Sequence, residues 1–211
     1  MKIDLHTHTN IGSACSRQSV EQLVADALSR AVDGVCITDH NNTRAAEEAR
    51  QIGQETDLLI LIGVEVTTDD GDFLVFGGDR EDFKPMPYRL LREELDLGGC
   101  AIIPAHSYRG GPYRNTVPVI REFRSDFSAI EAHSVNMSED DSRDALGLAA
   151  EVGLPTVACS DSHVAGTAGL NYTEFEDRIE SIEDLVAALK GGRFRAVKAD
   201  YDWRASRARE L

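Results

Sequence analysis

Short apolar runs alternate along the chain with longer segments of helical periodicity. Strands are predicted at KIDLHTH, DGVCITDH, LLILIGVEV, DFLVFGG, CAIIPAH, FSAIEAH, LPTVACSDSH and FRAVKA. Helices are predicted over residues 19–31, 43–54, 88–97, 139–152 and 181–189. The alternation of strand and helix indicates parallel β/α units. The runs LLILIGVEV and DFLVFGG, joined by TTDDG, predict an antiparallel hairpin within this series.

An open Rossmann-type sheet is the competing architecture, but no G-x-G-x-x-G motif follows the first apolar run.

The 211 residues are expected to form a single domain, 1–211. No apolar run approaches the roughly 20 residues of a membrane span. The chain start lacks the apolar segment of a secretory signal. Four separated cysteines without C-x-x-C spacing indicate reduced thiols. We therefore expect a cytoplasmic protein with no membrane partner, and the sequence leaves its oligomeric state open.

The charge balance limits the kinds of molecule that the protein is expected to bind. The chain has 22 basic and 37 acidic residues, which give a formal net charge of −15. An extended nucleic-acid surface needs a broad basic footprint, so this composition argues against one. A small phosphorylated substrate or a short oligonucleotide stays compatible, because bound divalent cations make a cleft locally positive.

Every histidine of the chain lies where an apolar run ends. The six are His6, His8, His40, His106, His133 and His163. The carboxyl ends of the strands of a β/α barrel meet at one rim, so these residues are expected to converge. Imidazole is a common metal ligand, and six imidazoles with carboxylates exceed the roughly four ligands of one zinc ion. The pattern predicts more than one divalent ion.

Two carboxylates also stand at the ends of apolar runs, Glu65 in LLILIGVE and Asp161 in TVACSD. A glutamate in an apolar strand is unfavourable unless it is paired or binds a metal ion. An ion pair with an arginine is therefore the alternative for Glu65. His6 and His8 are two residues apart, which places both side chains on one face of a strand and hence on one ion. Asp161 and His163 repeat this spacing.

The motifs DLHTHT, CITDH, GVEVTT, PAHSYRGG, EAHS and CSDSH resemble those of the PHP (polymerase and histidinol phosphatase) family over nearly the whole chain. The resemblance implies a distorted (β/α)7 barrel, with a metal site at the carboxyl ends of the strands, that hydrolyses phosphoesters. It implies two to three divalent ions, usually zinc, manganese or iron. By position, it implies a first ion on His6, His8, Glu65 and Asp161, a second on Glu65, His106 and His133, and a third site with His40 and His163.

The chain departs from the family pattern at the third site. Members with a full third site carry Asp or His five or six residues after the second histidine of His-x-His, where this chain has Ser13 and Ala14. The thiolate of Cys15 is one possible replacement, and a structural or surface cysteine is the other.

The expected chemistry is attack on phosphorus by a hydroxide formed between two ions, with Glu65 as their bridge. His40 or His163 is expected to supply a proton or a third cation to the leaving group. Arg109, in HSYRGG, suits a phosphate oxygen, although an exposed loop arginine is equally consistent.

Two other functions stay open. A metal-dependent amidohydrolase also begins with His-x-His but usually bridges its metals with a carbamylated lysine. The lysines of this chain, at 2, 84, 190 and 198, offer no convincing strand-end position. A non-catalytic PHP-like metal-binding module is the second alternative.

Overall fold

The structure of the chain is a computed structural model that describes residues 1–78, 81–109 and 116–200. Within these ranges the strands are β1 (Lys2–Thr7), β2 (Gly34–Ile37), β3 (Leu59–Thr68), β4 (Gly71–Gly77), β5 (Cys100–Pro104), β6 (Ile130–His133), β7 (Thr156–Ala158), β8 (Tyr172–Phe175) and β9 (Phe194–Val197). The α-helices are α1 (Val20–Ser29), α2 (Ala46–Gly53), α3 (Tyr88–Glu94), α4 (Val117–Glu122), α5 (Glu139–Val152) and α6 (Ile182–Gly191).

Seven strands form one sheet in the order β5-β4-β3-β2-β1-β8-β9, and β6 pairs with β7 in a second, two-stranded sheet. The large sheet curls into a half-barrel. The β6–β7 pair stands between its ends, with β6 beside β5 and β7 beside β8 and β9. The predicted distorted β/α barrel is confirmed.

The parallel β/α series is shorter than the alternation of runs predicts. Parallel pairing joins β1, β2 and β3, and separately β6 and β7. Strands β3, β4 and β5 are antiparallel, and the predicted hairpin of β3 and β4 closes at the pair Thr68–Gly71. Strand β8, which the sequence pattern did not predict, pairs antiparallel with both β1 and β9. Helix α4 was not predicted either.

Hydrophobic packing divides between the inside and the outside of the barrel. Leu5, Cys36, Leu61 and Ile103, from β1, β2, β3 and β5, form an inner cluster with residues of α6. Helices α1 and α2 cover the outer face of β2 with a second cluster, and α3, α4 and α5 pack against β4, β5 and β6 in a third. The carboxyl ends of the strands are therefore fixed by packing from both sides.

Two irregularities of strand pairing occur where the predicted ligands begin. The β1–β2 register shifts between Asp4 and Thr7, the segment that contains His6. The β6–β7 register shifts between Glu131 and His133. Such shifts redirect side chains and are common next to active sites. Among the helices of the described ranges, none is both long enough and apolar enough to cross a membrane.

Candidate metal centre

Four buried side chains meet at the end of β1. Nε2 of His6 lies 2.9 Å from Nε2 of His8, 3.4 Å from Oε2 of Glu65 and 3.3 Å from Oδ1 of Asp161. Nε2 of His8 lies 3.3 Å from the same two oxygens. Ligands of a tetrahedral zinc ion, with bonds of about 2.0–2.1 Å, stand about 3.3 Å apart. The donor atoms of His6, His8 and Asp161 lie close enough together to hold one ion, and Oε2 of Glu65 lies beside both imidazoles.

Glu65 extends this arrangement towards a second group. Its Oε1 lies 3.0 Å from Nε2 of His106, while Oε2 faces His6, His8 and, at 3.0 Å, Nδ1 of His40. His6, Glu65 and His106 have ligand atoms close enough to share an ion. The two oxygens of Glu65 therefore face different imidazoles, with His6 belonging to both groups, which is an arrangement that suits a bridging carboxylate.

A third group consists of His8, His40 and His163. The ring of His8 lies 4.7 Å from that of His40 and 4.2 Å from that of His163, between centroids. The neighbouring rings of His163 and His40 lower the pKa of the Cys15 thiol to about 6. The side chains of His40 and His163 are 25% and 22% exposed, so this group lies at the open side of the centre.

The centre fits a metal ion. Oε2 of Glu65 and Oδ1 of Asp161 are buried oxygens that accept no hydrogen bond of normal geometry within the described ranges. Burial alone would raise the pKa of each carboxyl group, but His6 and other neighbouring imidazoles hold both well below their ordinary values. Burial lowers the pKa of His8 to about 3, so this ring is neutral, as a metal ligand must be.

Glu131 orients two of the proposed ligands, and the sequence analysis missed it. Its Oε1 lies 3.1 Å from Nδ1 of His6, and its Oε2 accepts a 2.6 Å hydrogen bond from the backbone N–H of His106. The contact of Oε1 with Nδ1 fixes the His6 ring so that its Nε2 points towards the centre. The sequence does contain a signal for Glu131, because in the motif IEAH it stands in an apolar strand two residues before His133.

Ser13 also supports the centre without joining it. Its hydroxyl lies 3.2 Å from Nδ1 of His8, donates to Oδ1 of Asp39 at 2.6 Å and accepts from the backbone N–H of His40 at 3.0 Å. Asp39 also accepts hydrogen bonds from Thr9. Ser13 thus orients the His8 ring from the position where other family members are expected to carry a third-site ligand.

Two of the proposed ligands in the loops at the strand ends have an uncommon backbone conformation. His106 and Asp161 adopt φ values of 30° and 50°, in the left-handed region that non-glycine residues seldom occupy. The segment with Asp161 follows the end of β7, so its spacing to His163 is not that of a strand. Asp161 joins the first group, whereas His163 joins the third.

Arg109 lies at the centre, where its guanidinium donates to Oδ2 of Asp161. Asn136 binds the same oxygen at 3.0 Å. Gly110 and Gly111 of the predicted glycine-rich loop lie outside the described residues.

His133 is the one predicted ligand that falls outside all three groups in the described part of the chain. It is half-buried at the end of β6, its Nδ1 has no hydrogen-bond partner among the described residues, and its assignment stays a prediction.

Comparisons with known proteins match this fold and sequence. The model of the PHP-associated family PHP_C matches residues 140–194. The uncharacterized protein MJ1587 of Methanocaldococcus jannaschii is 30% identical over 118 residues, which are 51% of this chain and 68% of that protein. A PolC-type DNA polymerase III of Streptococcus mutans is 33% identical over 64 residues, 30% of this chain but 4% of the polymerase.

Three solved structures share the fold at 17% sequence identity. A two-domain protein of Bacteroides vulgatus, containing a predicted PHP-like metal-dependent phosphoesterase, aligns with a TM-score of 0.72 over 94% of this chain and 65% of that chain. An amidohydrolase of Chromobacterium violaceum aligns with 0.61 over 95% and 99%. Histidinol phosphate phosphatase of Lactococcus lactis, in complex with zinc, L-histidinol and phosphate, aligns with 0.50 over 90% and 92%. The chain belongs to the PHP family.

Proposed function

We propose that the protein is a metal-dependent phosphoesterase that hydrolyses a small phosphate mono- or diester. The observation that carries this proposal is the position of Glu65, whose Oε1 faces His106 and whose Oε2 faces His6 and His8. A carboxylate in that position suits two neighbouring cations, and two-metal sites recur in phosphatases and nucleases. When bound, such ions supply a Lewis acid for the phosphoryl oxygens and lower the pKa of a bound water.

The chain's own residues take three roles in this proposal. Glu131 and Ser13 hold the rings of His6 and His8 with their Nε2 atoms towards the centre. Arg109 offers a planar guanidinium to a phosphate oxygen at the same edge.

The remaining role is that of proton donor. His40 and His163 are the candidates for the leaving oxygen, because both are partly exposed while His6 and His8 are fully buried. Burial opposes protonation of His40, but its contacts with Cys15 and Glu65 raise its pKa to about 10. In the metal-free centre His40 therefore holds a proton at neutral pH.

Several observations favour a small substrate. The net charge of −15 gives no extended basic surface for a long polyanion. Two of the structural neighbours are named for phosphoester chemistry, and one of them was solved with zinc, an amino alcohol and phosphate. Amino-alcohol phosphates, sugar phosphates, nucleotides and short oligonucleotides are the classes to test.

Amide hydrolysis is the second candidate, because one structural neighbour is named an amidohydrolase. The bridging position in this chain is occupied by Glu65. Lys190 donates to the carbonyl oxygens of Leu97 and Gly98, and Lys198 pairs with Glu139, so neither lysine takes that place. These contacts favour the phosphoesterase.

Parallel assays distinguish the two functions. Metal-free protein is reloaded with zinc, manganese or iron and offered p-nitrophenyl phosphate, bis-p-nitrophenyl phosphate and a p-nitroanilide. The proposal predicts metal-dependent release of p-nitrophenol from a phosphoester, abolished by a chelator and by His6→Ala. Hydrolysis of the anilide alone, or phosphoester turnover that survives His6→Ala, would overturn it.

A further inference from the structure

The two carboxylate oxygens of Asp161 have different surroundings. Oδ1 lies 3.3 Å from Nε2 of both His6 and His8 and accepts no hydrogen bond of normal geometry within the described ranges. Oδ2 is the oxygen to which the guanidinium of Arg109 and Nδ2 of Asn136 donate. One oxygen of the carboxylate can therefore join the two imidazoles around an ion, while the other is already occupied.

Asn136 holds Asp161 through two hydrogen bonds. Its Nδ2 donates to Oδ2 at 3.0 Å and to the backbone carbonyl oxygen of Asp161 at 2.8 Å. An amide nitrogen carries two hydrogens, so it can serve both acceptors at once. Asp161 has a φ of 50°, which is unfavourable for a residue other than glycine, and the bond to its carbonyl oxygen stabilises this backbone. Asn136 thus fixes both the backbone and the carboxylate of Asp161.

The loop between β6 and α5 presents Asn136 from an anchored position. The preceding residue, Val135, donates its backbone N–H to the carbonyl oxygen of Ser160 at 3.1 Å. The following residue, Met137, is buried in a small apolar cluster between β6 and α5. Because both neighbours of Asn136 are held in this way, its amide faces Asp161 from a fixed point of the barrel.

We propose that Asn136 is a positioning residue that keeps Asp161 a metal ligand through Oδ1 alone. By occupying Oδ2, it stops the carboxylate from turning to bind an ion through both oxygens. Asp161 then offers one oxygen beside the imidazoles of His6 and His8, and the low coordination number leaves room for a water or a substrate oxygen. The inference rests on the proposed metal centre, but its test needs no hydrolysis.

Arg109 is the other donor to Oδ2, and it is the less constant one. Its side chain is 28% exposed, and the proposed function gives its guanidinium to a phosphate oxygen. When a phosphate draws the guanidinium away, Oδ2 keeps the hydrogen bond from Asn136. The position of Asp161 therefore does not depend on whether substrate is bound.

Metal affinity is the first readout. Zinc is partitioned between the protein and a chromophoric chelator in the absence of substrate, and folding is checked by circular dichroism. Asn136→Ala should bind zinc about tenfold to a hundredfold more weakly, as is usual for the loss of a group that orients a ligand. Asn136→Asp keeps the shape of the side chain but sets a carboxylate against Oδ2, so its affinity should fall further. The matched control is Asn171→Ala, which removes a 2.9 Å hydrogen bond from the backbone N–H of Ala199 and should bind zinc as wild type does.

The visible spectrum of bound cobalt(II) is the second readout. Four-coordinate cobalt absorbs visible light more strongly than five- or six-coordinate cobalt, so the intensity reports the number of donors. Asn136→Ala should absorb less per bound ion than wild type, because the freed Oδ2 becomes an additional donor. Asn171→Ala should keep the wild-type spectrum. A role confined to the folding of the loop would leave the spectrum of Asn136→Ala unchanged.

Arg109 and Asn136 share one acceptor, so their substitutions should be coupled. Arg109→Ala alone should change zinc affinity little, because Asn136 still donates to Oδ2. The double variant should lose more affinity than the two single variants together. Additive losses, or wild-type zinc affinity and cobalt spectrum in both Asn136→Ala and Asn136→Asp, would overturn the proposal. An equal loss of zinc affinity in Asn171→Ala would overturn it as well.

The two proposals fail separately. Weaker zinc binding by Asn136→Ala, in a protein that hydrolyses no phosphoester, would reject the phosphoesterase and leave the role of Asn136 standing. Metal-dependent hydrolysis by a protein whose zinc affinity is unchanged in Asn136→Ala and Asn136→Asp would reject the role of Asn136 alone.

Discussion

Oε1 of Glu131 lies 3.1 Å from Nδ1 of His6, and both side chains are fully buried. The contact leaves Nε2 of His6 as the nitrogen that faces Glu65 and Asp161. A buried carboxylate on the far side of an imidazole fixes the ring and raises its basicity as a ligand.

Glu131→Gln should weaken metal binding by about tenfold to a hundredfold while the barrel stays folded. The amide keeps only one acceptor oxygen, so it cannot serve both His6 and the backbone N–H of His106. Competition with a chromophoric chelator measures the change. Glu151→Gln, on an exposed pair with Arg121, is the matched control and should bind metal as wild type does. Equal affinity in both variants would remove Glu131 from the account.

Ser13→Ala should lower the free energy of unfolding by about 1–3 kcal/mol, because buried partners of the hydroxyl lose their hydrogen bond. Ser13→Asp should be worse, since it places a second carboxylate against Asp39, which accepts the Ser13 hydroxyl hydrogen bond at 2.6 Å. Urea denaturation measures both changes, with the exposed Ser29→Ala as the control. Tighter binding of an extra ion by Ser13→Asp would show instead that this position reaches the third site.

Arg109→Ala should raise KM for a phosphoester by about tenfold or more, because the substrate would lose a charge-assisted hydrogen bond. Lysine should restore only part of the affinity, because a point charge lacks the planar fork of the guanidinium. The measurement pairs steady-state kinetics with zinc content, since Arg109 also contacts Asp161. Lower zinc content with an unchanged KM would make Arg109 a positioning residue for Asp161 and contradict phosphate binding.

Removal of metal should destabilise the protein, because Glu65 and Asp161 would remain buried among imidazoles without a cation. A ligand at a thousandfold excess over its dissociation constant stabilises by about 4 kcal/mol, which is a shift of about 8 °C or more in Tm for a domain of this size. A chelator should lower Tm by that order, and zinc should restore it. The same chelator should leave the Tm of His6→Ala almost unchanged. An equal response of both proteins would contradict the assignment.

The sequence predicted the elements that have strong periodicity. Helix α5 spans Glu139–Val152, the range that the pattern predicts, and the hairpin of β3 and β4 is present. Strand β8 escaped prediction because Tyr172–Phe175 contains no apolar run, since Thr173 and Glu174 separate its two aromatic residues. Helix α4 is six residues long with a proline in its first turn, which is too short for a periodic signal.

The candidate site could be predicted as a set of residues but not as a network. Strand-end position was enough to bring together His6, His8, Glu65 and Asp161. The roles of Glu131 and Ser13 depend on which ring nitrogen each side chain contacts, and spacing carries no information about that. The influence of His40 and His163 on the pKa of the Cys15 thiol depends on the path of a loop, which periodicity does not encode.

The most direct test of the account is the metal content of Glu65→Gln, measured with its phosphoester turnover after desalting. The two oxygens of Glu65 face different imidazoles, so its amide variant should lose at least one of about two tightly held ions. Turnover should fall to the level of the chelator-treated wild type. Wild-type metal content together with wild-type turnover in Glu65→Gln would contradict the central claim that this carboxylate bridges a catalytic metal pair.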